Sequence, residues 1–89
     1  GVLTMDLESV RVPAFIMAHA QDECLITPPA DAQRIADRLT GSPAKLVTLL
    51  TGGAVPTSGP CDAYSQHGFF GIEPQAVDAI TNFIKSNAQ

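Results

Sequence analysis

Two short, mainly apolar runs divide the chain, one over 13–19 and one over 44–50. The first run, Pro13 to His19, contains no alternation of apolar and polar residues. A short continuous apolar run is typical of a strand buried on both faces, as in a parallel sheet. The pattern therefore predicts two strands, over 13–19 and 44–50.

A helical pattern lies between the two predicted strands. Thr27 is placed to cap a helix, and prolines at 28 and 29 fit the first turn, where a missing N–H costs little. Gly41 and the proline at 43 provide a stop signal. Helical spacing relates the four apolar residues between these signals: Ala32, Ile35, Ala36 and Leu39. We predict a helix over 28–40.

The remaining chain predicts one long loop and one closing helix. Residues 51–72 are rich in glycine, proline and small polar residues, and long ordered loops in small domains are usually functional. Helical spacing then relates Val77, Ile80 and Ile84, which predicts a helix over 74–86. Residues 1–11 show no clear period and are expected to form a connector.

The order of these elements determines the predicted fold class. A strand, a helix and a strand within about 38 residues form a βαβ unit, whose strands are parallel and whose crossover is right-handed. With the closing helix added, the chain is expected to be an α/β protein. It would form a single βαβ-α unit over residues 1–89.

Composition excludes several classes of function. The chain of 89 residues has a net charge of −4 and only five lysine and arginine residues. These are scattered and form no basic stripe, so we expect no nucleic-acid partner. Its apolar runs are far shorter than the roughly 20 residues that a membrane-spanning helix needs. No charged segment followed by an apolar core marks a signal peptide, and no membrane association is expected.

Two cysteines, Cys24 and Cys61, lie in predicted loops. An even count permits one disulfide without requiring it. A bridge would favour an oxidising compartment, either secreted or periplasmic, whereas two free thiols would fit the cytoplasm. The cysteine count alone leaves both possibilities open.

Two polar residues stand after the predicted strands. Asp22 lies three residues beyond the first strand, and His67 lies in the loop after the second. Because the carboxyl ends of parallel strands share one edge of a sheet, the two side chains are expected to approach each other. A carboxylate that accepts from one imidazole nitrogen fixes the tautomer and leaves the other nitrogen able to act as a base.

The stretches around these residues resemble the C-terminal part of α/β-hydrolases. Residues 13–22, with the threonine and prolines at 27–29, look like the penultimate strand, acid loop and following helix of that fold. Residues 65–73 look like its histidine loop and last helix. The family order of Ser, then acid, then His implies that Asp22 is the triad acid and His67 the general base.

The same resemblance suggests a role for the cysteines. Cys24 follows Asp22 by two residues, and Cys61 precedes His67 by six. If the acid loop and the histidine loop meet, a Cys24–Cys61 disulfide would pin them together.

One departure from the family pattern is large, because the chain contains no Gly-x-Ser-x-Gly segment. Without a nucleophile His67 has nothing to activate, so this chain alone is not expected to hydrolyse esters. The resemblance implies a segment of a serine-type hydrolase that acts on small ester-like substrates without a cofactor. The missing N-terminal half or a second copy of the chain would be its partner. The alternative is a non-catalytic α/β module that self-associates or docks to another chain.

Other candidate sites compete with these assignments. His19 ends the first strand and is expected to be a buried supporting histidine rather than a catalytic one. Residues 59–63 place Cys61 in an elbow-like sequence, but loop-forming residues precede it. Two histidines, two cysteines and Asp22 could be considered as metal ligands, yet none of the usual ligand spacings is present, so no metal site is expected. The glycines at 52 and 53 are expected to form a simple turn, since no phosphate-binding motif follows.

Overall fold

A two-stranded parallel sheet lies at the centre of the protein, for which a computed structural model describes residues 1–88. Strand β1 spans Ala14–His19 and strand β2 spans Lys45–Leu50, with Ala14 opposite Lys45 and His19 opposite Leu50. Each strand begins one residue later than predicted. For β1 the reason is that Pro13 has no N–H to donate, and the Ala14 amide makes the first bond, to the Ala44 carbonyl at 2.9 Å.

Helix α1, Asp31–Arg38, connects the two strands and packs against both. Its buried residues are Ala32 and Ala36, with Leu39 directly after the helix. Lys45 Nζ donates to the Ala36 carbonyl at 2.9 Å and ties the start of β2 to this helix.

The predicted start of this helix, at 28 with Thr27 as its cap, is wrong. The N-cap is Ala30, and it makes no side-chain capping bond. Residues 28–30 instead form a turn, in which the Pro28 carbonyl accepts from the Asp31 amide at 3.0 Å. The Thr27 hydroxyl lies 3.2 Å from His67 Nδ1, so it is engaged elsewhere. The predicted end at 40 is also two residues too late.

Helix α2, Glu73–Asn87, packs on part of the opposite face of the sheet. Phe83 of α2 stacks on Phe15 of β1, with ring centroids 5.2 Å apart. Successive residues of a strand point to opposite faces of the sheet. Lys45 points to the face of α1, so its neighbour Leu46 points to the other face, and Phe15, which is paired with Leu46, points there too. The two helices therefore sandwich the strands, and the chain is a small α/β βαβ-α unit.

The sheet is less buried than its sequence predicts. Leu46 and Leu49 of β2 are 46% and 50% exposed, and β1 is only half-buried until His19. Within residues 1–88 the sheet has two strands, so each strand has one unpaired edge. Leu46 lies on the α2 face and Leu49 on the α1 face. The expectation of strands buried on both faces is therefore wrong for this chain, because neither helix covers its face of the sheet completely. No helix in the described part of the chain is long and apolar enough to cross a membrane.

The N-terminal segment, expected to be a simple connector, folds onto α1. It forms two short 3-10 helices, Val2–Thr4 and Leu7–Ser9, and buries Leu7. Arg38 fixes this segment: its guanidinium donates to the Leu3 carbonyl, to the Met5 carbonyl at 2.8 Å and to both carboxylate oxygens of Glu8. Arg38, at the end of α1, thus orders an N-terminal segment that has no hydrophobic periodicity.

This contact generates a prediction for Glu8. The hydrogen bond from Arg38 lowers the pKa of the Glu8 carboxyl from 4.5 to about 2. Because the folded-state pKa lies below the ordinary value, the contact stabilises the fold above about pH 4.5 and is lost as the pH falls towards about 2. We expect Arg38→Gln to return the pKa of Glu8 most of the way towards 4.5, measured by an NMR titration of the side-chain carboxyl carbon.

Arg34→Gln is the matched control, since Arg34 is exposed and pairs with Asp31 instead. The assignment fails if both variants shift the pKa of Glu8 equally.

Candidate functional site

The site lies where both strands end, and its first part is the turn after β1. The Asp22 amide donates to the His19 carbonyl at 3.0 Å, which closes this turn. The Asp22 carboxylate then accepts from the Cys24 amide at 2.9 Å through Oδ1. This local bond, typical of aspartate in turns, orients the carboxylate and leaves Oδ2 available for a second donor.

The second part is the histidine loop, residues 51–72, which positions His67 on a short 3-10 helix, Gln66–Gly68. Ser65 precedes this helix and is only 1% exposed. Its hydroxyl donates towards the Asp62 carbonyl at 2.8 Å, and its own carbonyl accepts from the amides of Gly68 and Phe70. The hydrogen bonds of Ser65 therefore connect the loop residues that precede His67 in the chain with those that follow it.

These two loops bring Asp22 and His67 into direct contact. His67 Nδ1 lies 3.0 Å from Asp22 Oδ2, although the residues are 45 positions apart. Because an ionised carboxylate only accepts hydrogen bonds, Nδ1 carries the proton and donates it. Thr27 Oγ1 lies 3.2 Å from the same nitrogen. Within residues 1–88, Nε2 makes no hydrogen bond, and the His67 side chain is 33% exposed whereas that of Asp22 is 7% exposed.

Cys24 and Cys61 form the disulfide that was one of the two open possibilities. The S–S distance is 2.07 Å and the Cα atoms lie 4.8 Å apart. The bridge joins the turn that carries Asp22 to the loop that carries His67. Because both sulfurs are bonded to each other, Cys61 offers no thiolate and the elbow-like nucleophile is excluded. In the part of the chain that the structure describes, no group of three His, Cys, Asp or Glu residues is arranged to hold a metal ion.

His19 has the buried supporting role that was predicted for it, and it does not join the Asp22–His67 pair. It is 2% exposed. Its Nδ1 accepts from the Gln21 amide at 3.0 Å, so the proton is on Nε2, which donates to the Gly52 carbonyl at 2.7 Å. This side chain therefore holds the end of β1 to the loop after β2.

The glycine turn that follows this bond permits a close approach of backbones. Gly53 has φ 110°, and a Cβ there would collide with the Phe70 carbonyl oxygen. The neighbouring Ala54 amide donates to this same oxygen at 2.9 Å. The start of the histidine loop is thereby bonded to its end.

Two residues of the site, Thr27 and Ser65, were not predicted from the sequence. Thr27 has the sequence context of a helix cap, and only the distance to His67 reveals its position. Ser65 stands among polar loop residues, and no sequence signal marks it as buried.

No family model, curated protein or solved structure matches this chain. The resemblance to α/β-hydrolases therefore rests on the residues quoted for it alone.

The histidine loop depends on one glycine in a testable way. A Cβ on Gly68 would collide with the Ala63 carbonyl oxygen and lie 2.6 Å from its carbon. We expect Gly68→Ala to displace His67 and to destabilise the fold by about 1–3 kcal/mol, as overpacking typically does. Urea unfolding and the imidazole NMR signals of His67 measure the two effects.

Gly59→Ala is the matched control in the same loop. Its Cβ would meet only the end of the Asp62 side chain, at 3.1 Å, which can move away. Equal effects of the two substitutions would contradict a specific requirement at Gly68.

Proposed function

We propose that this chain supplies the acid and the base of a serine-type α/β-hydrolase, and that the nucleophile comes from a part absent from these 89 residues. The observation that carries the proposal is the contact between Asp22 Oδ2 and His67 Nδ1 at the carboxyl ends of two parallel strands. This is the relation between acid and base in a catalytic triad, and it leaves Nε2 for a serine. The order of the two residues along the chain also fits the family.

The proposed chemistry is acyl transfer from an ester, or a related acyl compound, to water. A serine Oγ attacks the carbonyl carbon while His67 Nε2 takes its proton. His67 then gives this proton to the leaving alcohol, and the acyl-enzyme is hydrolysed by water that His67 activates in the same way. Asp22 holds the imidazole in the correct tautomer and stabilises the imidazolium. These steps need no cofactor.

The unpaired edge of β1 supports the proposed partner, an upstream half of the hydrolase fold. In the described residues β1 is bonded only to β2, so its outer edge is free to pair with a further strand. An apolar groove of about 300 Å³ runs beside β1, and its lining includes Ile16, Ala18, Ala32 and Ile35. In this proposal β1 and β2 are the last two strands of the complete sheet.

The proposal predicts that the 89-residue chain is inactive alone and that Asp22 matters once a serine is present. With 4-nitrophenyl acetate, the turnover of the chain should stay at background. In a native gene product that carries the Gly-x-Ser-x-Gly segment, Asp22→Asn should lower kcat about 10⁴-fold because the wrong tautomer of His67 is favoured. Intact-mass analysis of that product identifies the additional segment.

Asp62→Asn is the matched control, since the Asp62 side chain lies in an exposed part of the histidine loop. Turnover by the 89-residue chain that His67→Ala abolishes would contradict the inactivity of the chain alone. An unchanged kcat in Asp22→Asn would contradict the role of Asp22.

A second candidate function is self-association through the outer surface of α2, without catalysis. The observation that favours it is the exposure of three apolar residues on this helix, Val77 at 58%, Ile80 at 41% and Ile84 at 60%. Exposed apolar surface of this kind often marks an interaction site.

Sedimentation equilibrium tests this candidate. We expect the chain to be dimeric or larger at micromolar concentration, and Ile84→Lys to shift it towards the monomer by removing apolar contact. Thr81→Lys, an exposed substitution on the same helix, should leave the association unchanged. A chain that stays monomeric at every concentration would rule out self-association.

A further inference from the structure

We propose that the Cys24–Cys61 disulfide positions Asp22 against His67, so that reduction of this bond by a dithiol separates acid from base while β1 and β2 stay paired. Deletion of the disulfide would thus act on the site rather than on the sheet. The structural part of this proposal rests on contacts alone. Its consequence for ester hydrolysis rests on the function proposed above.

The disulfide is connected to Asp22 through the backbone of Cys24. The Cys24 amide donates to Asp22 Oδ1 at 2.9 Å, and Cys24 is 2% exposed. The direction in which the carboxylate points therefore depends on where the backbone of Cys24 is held. The disulfide bond from Cys24 to Cys61 fixes the position of this backbone.

The disulfide is connected to His67 through Ser65. Cys61 stands between Pro60 and Asp62, whose carbonyl oxygens accept from the Ser65 hydroxyl at 3.2 and 2.8 Å. Ser65 in turn precedes the 3-10 helix of His67. A closed ring results, consisting of the disulfide, the two loop segments and the Asp22–His67 hydrogen bond.

Few other contacts hold this ring closed. Residues 51–57 and 59–64 are exposed, so apolar burial does little to fix this part of the histidine loop. Apart from the disulfide, His67 Nδ1 donates to Asp22 Oδ2 and lies 3.2 Å from Thr27 Oγ1. A further bond, from His19 Nε2 to the Gly52 carbonyl, joins the end of β1 to the start of the histidine loop, well before His67 in the chain. Segments with few buried contacts open locally at a lower free energy than a packed ladder. By contrast, the paired strands retain their backbone bonds and the packing of α1 on both of them.

The two cysteine residues differ in exposure, which favours one course of reduction. Cys61 is an exposed residue whereas Cys24 is buried, so we expect a dithiol thiolate to attack the sulfur of Cys61. The S–S bond breaks and the electron pair leaves with Cys24, which takes up a proton. The second thiol of the reductant then attacks the mixed disulfide and releases Cys61 as a thiol. The dithiol becomes a cyclic disulfide, and the protein gains two electrons and two protons.

The experiment compares the protein before and after dithiothreitol in one NMR sample labelled with ¹⁵N. The Nδ1 proton of His67 reports the bond to Asp22, and hydrogen exchange at the Ala14 and Ala20 amides reports the strand ladder. We expect reduction to abolish the Nδ1–H signal while exchange at the two amides changes by less than about threefold. The double variant Cys24→Ser, Cys61→Ser should resemble the reduced protein and should not respond to dithiothreitol.

A His67 Nδ1–H signal that survives reduction would overturn the proposal. So would loss of protection at Ala14 and Ala20, because the disulfide would then hold the whole fold. In a serine-containing gene product, ester turnover should fall at least tenfold on reduction. Absence of any turnover before reduction would count against the proposed hydrolase and would leave the NMR result on positioning valid.

Discussion

The parallel pairing of β1 with β2 is the constraint on which the rest of the structure depends. Parallel neighbours need a crossover, and α1 supplies it by packing its small residues Ala32 and Ala36 on the strands. Both strands therefore end at the same edge of the sheet. Asp22 and His67, 45 residues apart, are brought within 3.0 Å by this topology and not by any local sequence relation.

The topology brings the loops to one edge, and a small set of covalent and polar bonds fixes their conformation. The disulfide joins the two loops, and His19 joins the end of β1 to the Gly52 carbonyl at 2.7 Å. Ser65 closes the loop around His67. Such bonds are necessary because a loop of exposed residues gains little from apolar burial and must offset its conformational entropy in another way.

The features that depend on hydrophobic periodicity and on the order of elements along the chain could be predicted from the sequence. These are the two strands, the two helices, the parallel βαβ-α arrangement and the approach of Asp22 to His67. The folding of the N-terminal segment could not be predicted, because this segment has no hydrophobic periodicity. It is ordered by the long side chain of Arg38, which donates to carbonyls more than 30 residues away in the chain. Thr27 was misassigned for a related reason: a threonine before two prolines has the local pattern of a cap, and the competing contact with His67 exists only in three dimensions. The partial exposure of β2 escaped prediction because burial of a strand depends on neighbours that its own residues do not specify.

The burial of Asp22 explains why its carboxylate needs a hydrogen-bond donor on each oxygen. A carboxylate with 7% of its side chain exposed loses hydration and must be compensated by hydrogen bonds. The Cys24 amide compensates one oxygen and His67 Nδ1 the other, so folding accounts for both of these donors. It does not account for Nε2, which makes no hydrogen bond within residues 1–88 and belongs to a ring held in one tautomer. A neutral donor such as an asparagine amide could have satisfied the same carboxylate oxygen. An imidazole adds a second nitrogen on its far side, and the proton transfer from a serine proposed above would use this nitrogen.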